Sequence, residues 1–294
     1  MKTNVPVLIP LSAVALLALL FLSCKDSATE PTSGKLITEL ITADHQSTQL
    51  SAIPEESIRK AKRELRIAYG HTSHGSQLVS GMTGLVQFKG ALYNFNSTGA
   101  DSALVFHDTP FPGASDLGNP DRTSWATATR TYLNAHPDIN VVIWSWCGQV
   151  STATSDDILL YLSLMDSLER SYPMVHFVYM TGHLDGSGIQ GNLHLRNEQI
   201  RAFCRAGNKA LFDFADIESY DPDGAYFADK AADDNCDYDS DANGTRDRNW
   251  AQEWQNAHPG AWYTCGSAHS QPLNANRKAY AAWWLWARLA GWEG

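Results

Sequence analysis

The chain has 294 residues, of which 44% are hydrophobic, and its formal net charge at pH 7 is −10. This length and apolar content suit one large domain with a sizeable core, and they exclude a largely disordered chain. Nucleic-acid-binding proteins are also excluded as a class, because acidic residues are in excess and no long run of lysines or arginines is present to contact phosphates.

The first 24 residues follow the plan of a secretory signal, with an early lysine, an apolar run and small residues that end at Cys24. The ending LFLSC is similar to a bacterial lipobox, in which a signal peptidase cuts before a cysteine that becomes lipidated. We therefore expect an exported lipoprotein of the bacterial cell envelope, anchored in a membrane through Cys24, with residues 25–36 as a flexible tether. An ordinary signal peptide or a single anchoring helix is the alternative, although the apolar run is short for a bilayer span.

Behind the tether, apolar strand-like runs alternate with helical patterns. Buried strands are predicted at residues 65–69, 103–107, 140–146, 174–180 and 210–217. Helices are predicted after a cap at Thr123 or Ser124, after Ser155, from Asn197 to the C-cap Gly207, and over 275–291. The alternation predicts an α/β fold, a three-layer α/β/α sandwich around a mainly parallel five-stranded sheet of the flavodoxin-like type, in one domain over residues 37–294.

Residues 219–264 are rich in Asp, Asn, Gly and aromatic residues and predict a loop-rich insertion before the last helix. Oxygen-bearing side chains alternate there around a glycine with a spacing typical of calcium loops, at Asp239, Asp241, Asn243 and Asp247. One interpretation is a structural Ca²⁺ outside an EF-hand, because Trp250 stands where an EF-hand has its closing glutamate. A solvated acidic loop is the other. No cofactor for catalysis is expected.

Tryptophans and cysteines add two further expectations. The insertion's tryptophans, Trp250, Trp254 and Trp262, either form a platform for stacking sugars or cover a small core of the insertion, and the second interpretation is favoured. Export permits disulfides among Cys147, Cys204, Cys236 and Cys265. The pair Cys236–Cys265 is favoured because both residues lie in the loop-rich region, whereas Cys147 and Cys204 either pair or stay free.

Polar clusters follow the predicted strands at their carboxyl ends, where open parallel sheets bind their ligands. GHTSHGSQ follows the first strand, a loop containing ASDLGNPDR the second, CGQVS the third and TGHLDGSG the fourth, and GSAHSQPLN precedes the last helix. Loops from separate parts of the chain are therefore expected to converge on one cleft.

In this order of motifs the chain resembles the SGNH (GDSL-like) hydrolase superfamily over roughly residues 65–290. The resemblance implies a serine esterase with Ser73 as the nucleophile and His269 as the base that removes its proton. It also implies oxyanion donors from the backbone N–H of Gly118 and the amide of Gln149. The substrate would be an O-acyl ester, with acetylated polysaccharide as the expected class.

Two positions depart from the superfamily pattern. Gly266 stands where an aspartate is expected three residues before His269, and Gln149 stands where an asparagine is expected. Either another acid orients His269, from Asp185, Asp216 or Asp247, or Ser73 and His269 act as a dyad with a backbone carbonyl holding the ring.

The histidines admit other interpretations. Residues expected to contact the substrate are His71, His74, His183 and Asp185. Because imidazole and carboxylate form a normal zinc set, a metal-dependent hydrolase using His71, His74 and His183 is one alternative, although their spacing gives it little support. A non-catalytic surface lipoprotein that binds glycan in the same cleft is the other, and the two missing superfamily residues favour it.

Overall fold

The computed structural model of the protein describes residues 1–2 and 39–294. The predicted signal, the lipidation site at Cys24 and the tether therefore lie outside the described residues. Within the described part of the chain, no helix combines the length and the apolar character needed to cross a membrane.

A seven-stranded sheet runs through the molecule, and all its strand pairs are parallel. The strands are β1 (Ile41–Ala43), β2 (Arg66–Gly70), β3 (Phe95–Asn96), β4 (Leu104–Asp108), β5 (Val141–Trp144), β6 (His176–Met180) and β7 (Ala210–Phe212). Their order across the sheet is β1-β7-β6-β5-β2-β4-β3. The α/β class with a parallel sheet is confirmed, but the expected count of five strands is wrong, because β1 and β3 add one short strand at each edge.

The part of the chain that the structure describes also contains eight α-helices: α1 (Glu55–Glu64), α2 (Ser76–Lys89), α3 (Ser124–Ala135), α4 (Ser155–Ser171), α5 (Asn192–Gly207), α6 (Phe214–Glu218), α7 (Trp250–Ala257) and α8 (Pro272–Leu289). The predicted last strand ends early. Asp213 caps a new helix there by accepting a hydrogen bond from the N–H of Asp216, so the apolar residues after Phe212 belong to α6.

Helices cover both faces of the sheet. One core cluster joins the sheet to α1, α2 and α8, and it includes the fully buried Trp283 and Trp286. A second cluster joins the opposite face to α3, α4 and α5 around Trp125 and Trp144. Because the helices run back over the two faces, the carboxyl ends of the strands stay open to the loops that carry the site.

The insertion has a small core of its own. It contains α7 and the antiparallel pair β8 (Asp237–Tyr238) and β9 (Arg248–Asn249). Trp250 is fully buried in this core, so the interpretation as core cover is correct for it and a sugar platform is not. Trp254 and Trp262 are half-buried at the edge of the same cluster.

None of the four cysteines of the described residues is paired, so the predicted Cys236–Cys265 disulfide is not formed. The two thiols face different cores, which is why they do not meet. Cys236 is sealed inside the insertion core with its Sγ atom 3.6 Å from Ser270 Oγ. Cys265 packs against the cluster of α1, α2 and α8, where its Sγ atom lies 3.4 Å from the amide of Asn276.

Candidate active site at the carboxyl edge of the sheet

The loops that follow β2, β5 and β6 meet a loop of the insertion at the carboxyl edge of the sheet. His74 lies between them and is only 7% exposed. Its Nε2 atom is 2.8 Å from Asp234 Oδ2, and its Nδ1 atom is 3.5 Å from Cys147 Sγ. An ionised carboxylate only accepts hydrogen bonds, so the proton lies on Nε2 and the lone pair of Nδ1 faces the thiol.

The charge states at this centre suit a neutral base beside an ionised acid. Burial lowers the pKa of His74 below its ordinary value, although the hydrogen bond to Asp234 acts in the opposite direction. Burial also raises the pKa of Asp234, but the hydrogen bond from His74 and the nearby His183 outweigh it and hold that pKa below the usual range. At neutral pH the imidazole of His74 is therefore able to accept a proton from Cys147.

Two further imidazoles stack against His74. The ring of His183 is nearly parallel to it at a centroid distance of 3.6 Å, and that of His269 lies at 4.6 Å. His183 Nδ1 donates to the carbonyl of Leu184 at 2.7 Å, which leaves its Nε2 lone pair buried and without a partner among the described residues. A Cβ added to Gly148 would lie 3.9 Å from that atom, so His183 Nε2 is close to the residue that follows Cys147.

The histidine set predicted for a metal is only partly brought together. Ligand atoms of His74, His183 and Asp234 lie within 4.8 Å of one another, whereas His71 forms a separate pair with Asp108 at 2.6 Å. Imidazole lone pairs lie in the ring plane, and the nearly parallel planes of His74 and His183 do not meet at a common ion position.

Ser73 and His269 do not form the predicted nucleophile–base pair. Both residues are exposed, and no hydrogen bond joins their side chains. The turn after β2 explains this: the carbonyl of Ser73 accepts from the N–H and hydroxyl of Ser76, while the neighbouring Thr72 and His74 make the contacts inside the site. Ser73 therefore lies in the same loop as His74, without a side-chain hydrogen bond to His269.

Asp116, which the sequence pattern did not single out, accepts hydrogen bonds from both groups that were predicted as oxyanion donors. This buried carboxylate accepts from the N–H of Gly118 at 2.8 Å, from Gln149 Nε2 at 3.0 Å and from the hydroxyl of Thr72 at 2.6 Å. Gln149 in turn accepts the N–H of Cys147 at 2.8 Å. The structure therefore brings Gly118 and Gln149 together as expected, but as supports for the Cys147 loop. The only sequence signal for Asp116 is its place two residues before Gly118, which is typical of an Asx turn.

A fully buried ion pair lies in the protein interior next to the site and connects two of its loops. The Nζ atom of Lys278 lies 2.5 Å from Glu218 Oε1 and also donates to Gln77 Oε1, and all three residues are fully buried. Glu218 Oε2 accepts the N–H of Leu184 at 2.8 Å, next to His183. Gln77 donates to the carbonyl of Ala268 at 2.6 Å, next to His269. The pair therefore fixes two of the loops that carry imidazoles.

The remaining predicted site residues lie apart from His74. Asp185 turns towards its own loop, where it accepts from the N–H and hydroxyl of Ser187. In the predicted calcium loop, Asp239 and Asp241 both accept the N–H of Asn243, at 3.1 and 3.3 Å, which places their oxygens on one side of the turn. Asp247 accepts from Ser240. The structural Ca²⁺ stays a prediction.

The acids considered for orienting His269 are also engaged elsewhere, since Asp216 accepts from His45 and Asp247 from Ser240.

No protein-family model and no curated protein matches the chain. Because a fold alone does not determine an activity, the function has to be inferred from the residues of the site.

Proposed function

We propose that the chain is a hydrolase of O-acyl esters in which Cys147 is the nucleophile, His74 the general base and Asp234 the acid that orients it. One observation carries the proposal. The two ring nitrogens of His74 face different groups, with Nδ1 3.5 Å from the thiol of Cys147 and Nε2 2.8 Å from the partly buried carboxylate of Asp234. This is the arrangement by which a base activates a nucleophile while a third group fixes its tautomer.

Cys147, His74 and a water molecule supply every proton and bond that the reaction requires. His74 Nδ1 takes the thiol proton as Cys147 Sγ attacks the ester carbonyl carbon, and the same proton then passes to the departing alcohol. The acyl group is left on sulfur as a thioester. A water molecule gives a proton to His74 and attacks that carbonyl, the C–S bond breaks, the carboxylic acid departs, and the proton returns to the thiolate.

The negative charge that develops on the substrate oxygen requires donors beside Cys147. Gly118 and Gln149 donate to Asp116 in this structure, so they do not fill that role here. The backbone N–H of Gly148, directly after the nucleophile, makes no hydrogen bond within the described residues and is the donor that we assign. One such donor contributes about 3 kcal/mol of transition-state stabilisation in other acyl-transfer enzymes.

The test compares two possible nucleophiles in the same assay. Hydrolysis of p-nitrophenyl acetate and acetylated xylan is measured for the full chain and for Cys147→Ala, Ser73→Ala and Cys265→Ala. We expect Cys147→Ala to lower kcat/KM by at least about 10³-fold. Ser73→Ala and the matched cysteine control, Cys265→Ala, should stay within a few-fold of the parent.

The opposite pattern, with activity lost in Ser73→Ala and kept in Cys147→Ala, would establish the serine mechanism that the SGNH resemblance implies. Circular dichroism of each variant separates loss of chemistry from loss of fold. Trapping of an acyl group on the peptide that contains Cys147, read by mass spectrometry, gives an independent result.

A metal-dependent hydrolase is the second candidate, favoured only by the closeness of His74, His183 and Asp234. Inactivation by a chelator and recovery with Zn²⁺, together with resistance to iodoacetamide, would select it over the thiol mechanism. If no variant and no condition gives hydrolysis of any acyl ester, the glycan-binding lipoprotein becomes the better account, and binding of xylan without turnover would support it.

We also propose that the protein acts outside the cytoplasm as a lipoprotein, with acetylated polysaccharide as its substrate class. The sequence up to Cys24 supports the first part, and the resemblance supports the second. Lipidation is tested by the electrophoretic shift and membrane fractionation of the parent against Cys24→Ala. Release of Cys24→Ala from the membrane fraction is expected, and retention of both forms would contradict the anchor.

A further inference from the structure

Arg277, on α8, is a buried cation that lacks a partner. It is only 3% exposed, and its Nε atom is sealed from solvent with no hydrogen-bond partner among the described residues. By contrast, the next residue, Lys278, pairs with Glu218 at 2.5 Å, and the less buried Arg201 pairs with Asp213 at 2.6 Å. Among the described arginines Arg277 is the one classed as buried, and it forms no ion pair with the described residues.

The nearest negative charges do not satisfy this guanidinium. Asp221 and Asp216 act on Arg277 only through space, and their carboxylates already accept other donors. Asp221 Oδ1 accepts two backbone N–H groups of its own turn, and Asp216 accepts the N–H of His45. Burial lowers the pKa of Arg277 to about 10, which still leaves it charged at neutral pH. A buried charge with unused hydrogen-bond donors lowers the stability of the fold unless a bound ligand accepts hydrogen bonds from it.

Arg277 lines a groove with a volume of about 780 Å³. The groove runs between residues 45–51, the end of α2, the insertion and α8, and its walls carry aromatic rings from Phe88, Tyr93, Trp254 and Tyr280. One of these rings is held in place, because Asp223 accepts the indole N–H of Trp254 at 3.0 Å. Lys89 adds a second positive charge to the lining.

The chemistry of this lining selects a type of ligand. A planar guanidinium matches a carboxylate through two parallel N–H···O bonds, and aromatic walls favour contact with the flat face of a ring. Asp221 and Asp223 also line the groove, and each has one carboxylate oxygen engaged, Asp221 Oδ1 by backbone N–H groups and Asp223 Oδ2 by Trp254, while no hydrogen bond joins either acid to Arg277.

We propose that this groove is a binding site for a ring compound that carries a carboxylate, with Arg277 holding the carboxylate and the aromatic walls holding the ring. The residues that line the groove include none of Cys147, His74 or Asp234, so the site is distinct from the acyl-hydrolysis site and does not depend on it. A sugar acid and an aromatic acid share this chemistry and are distinguished by the experiment.

The test is calorimetric titration of the full chain with glucuronate, benzoate and glucose. We expect a saturable heat with at least one of the two acids and none with glucose, and the better of the two acids identifies the ring type. Arg277→Met should weaken that binding at least tenfold. The control Arg205→Met, which changes a surface arginine outside the groove, should bind as the parent does.

A second readout covers the case in which Arg277→Met fails to fold. Lys89→Met removes the second positive charge of the lining from an exposed position and should weaken binding of the same acid. The proposal is overturned if neither acid binds at millimolar concentration, if glucose binds equally well, or if the acid binds as in the parent to Arg277→Met or, where that variant does not fold, to Lys89→Met.

Discussion

Replacing Lys278 by methionine tests the contribution of the buried Lys278–Glu218 ion pair to the stability of the protein. The change keeps most of the side-chain volume but leaves the buried carboxylate of Glu218 without its cation, with only the N–H of Leu184 and the amide of Asn274 as donors. A carboxylate in that position avoids an unpaired charge by taking a proton. An ordinary glutamate has a pKa of about 4.3, so this costs about 3.7 kcal/mol at pH 7 and about 1 kcal/mol at pH 5.

We therefore expect Lys278→Met to lower the free energy of unfolding by about 3–4 kcal/mol at pH 7 and by only about 1 kcal/mol at pH 5. The sign follows because a group that is protonated when folded contributes stability at low pH and loses it as pH rises. Urea unfolding at the two pH values measures both numbers.

Two matched variants separate the effect of the unpaired buried charge from other effects of the substitution. In Lys278→Met/Glu218→Gln both charges are removed, so the loss should be smaller than in the single variant and nearly independent of pH. Arg59→Met breaks the exposed pair with Glu55 and should change stability by less than about 1 kcal/mol. A loss in Lys278→Met that is the same at pH 5 and pH 7 would refute the argument from buried charge.

Three further predictions concern the site. Asp234→Asn should lower kcat/KM by about 10²–10⁴-fold with the fold retained, because the amide no longer fixes the His74 tautomer, and an unchanged rate would contradict its role. Since burial lowers the pKa of His74, the acid limb of the kcat/KM profile should have its midpoint below pH 6.5 in the parent, and a midpoint above that value would be inconsistent with His74 as the base. Gly118→Ala should destabilise the protein by about 1–3 kcal/mol in thermal unfolding, because the new Cβ would lie 2.6 Å from Gln149 Cγ, whereas Gly148→Ala, with no atom closer than 3.9 Å, should be tolerated.

The central strands were predictable because each is a short continuous apolar run, and several helices were predictable from their helical pattern and their capping residues. The edge strands β1 and β3 have only three and two residues, too few to produce an apolar run. The apolar stretch after residue 210 was misread because strand and helix share the same buried composition, and only the cap at Asp213 separates them.

Sequence order put the loops of His74, Cys147 and His183 at one edge of the sheet, where the structure also has them. The contact of Cys147 with His74 was not expected, because Cys147 was considered only as a neighbour of Gln149. Asp234 lies 160 residues from His74 inside the insertion, and no local pattern reports a contact over that separation. A resemblance carries only positions that match a motif, so it assigned a role to Ser73 and none to Cys147, and the paired variants Cys147→Ala and Ser73→Ala test the two assignments.

The stacking of imidazoles places a second ring that can carry positive charge directly against His74. A positive charge on His183 lowers the pKa of His74, because two positive rings 3.6 Å apart repel each other. The neighbouring ring therefore acts in the same direction as burial and favours the neutral form of His74, the form that is able to accept a proton.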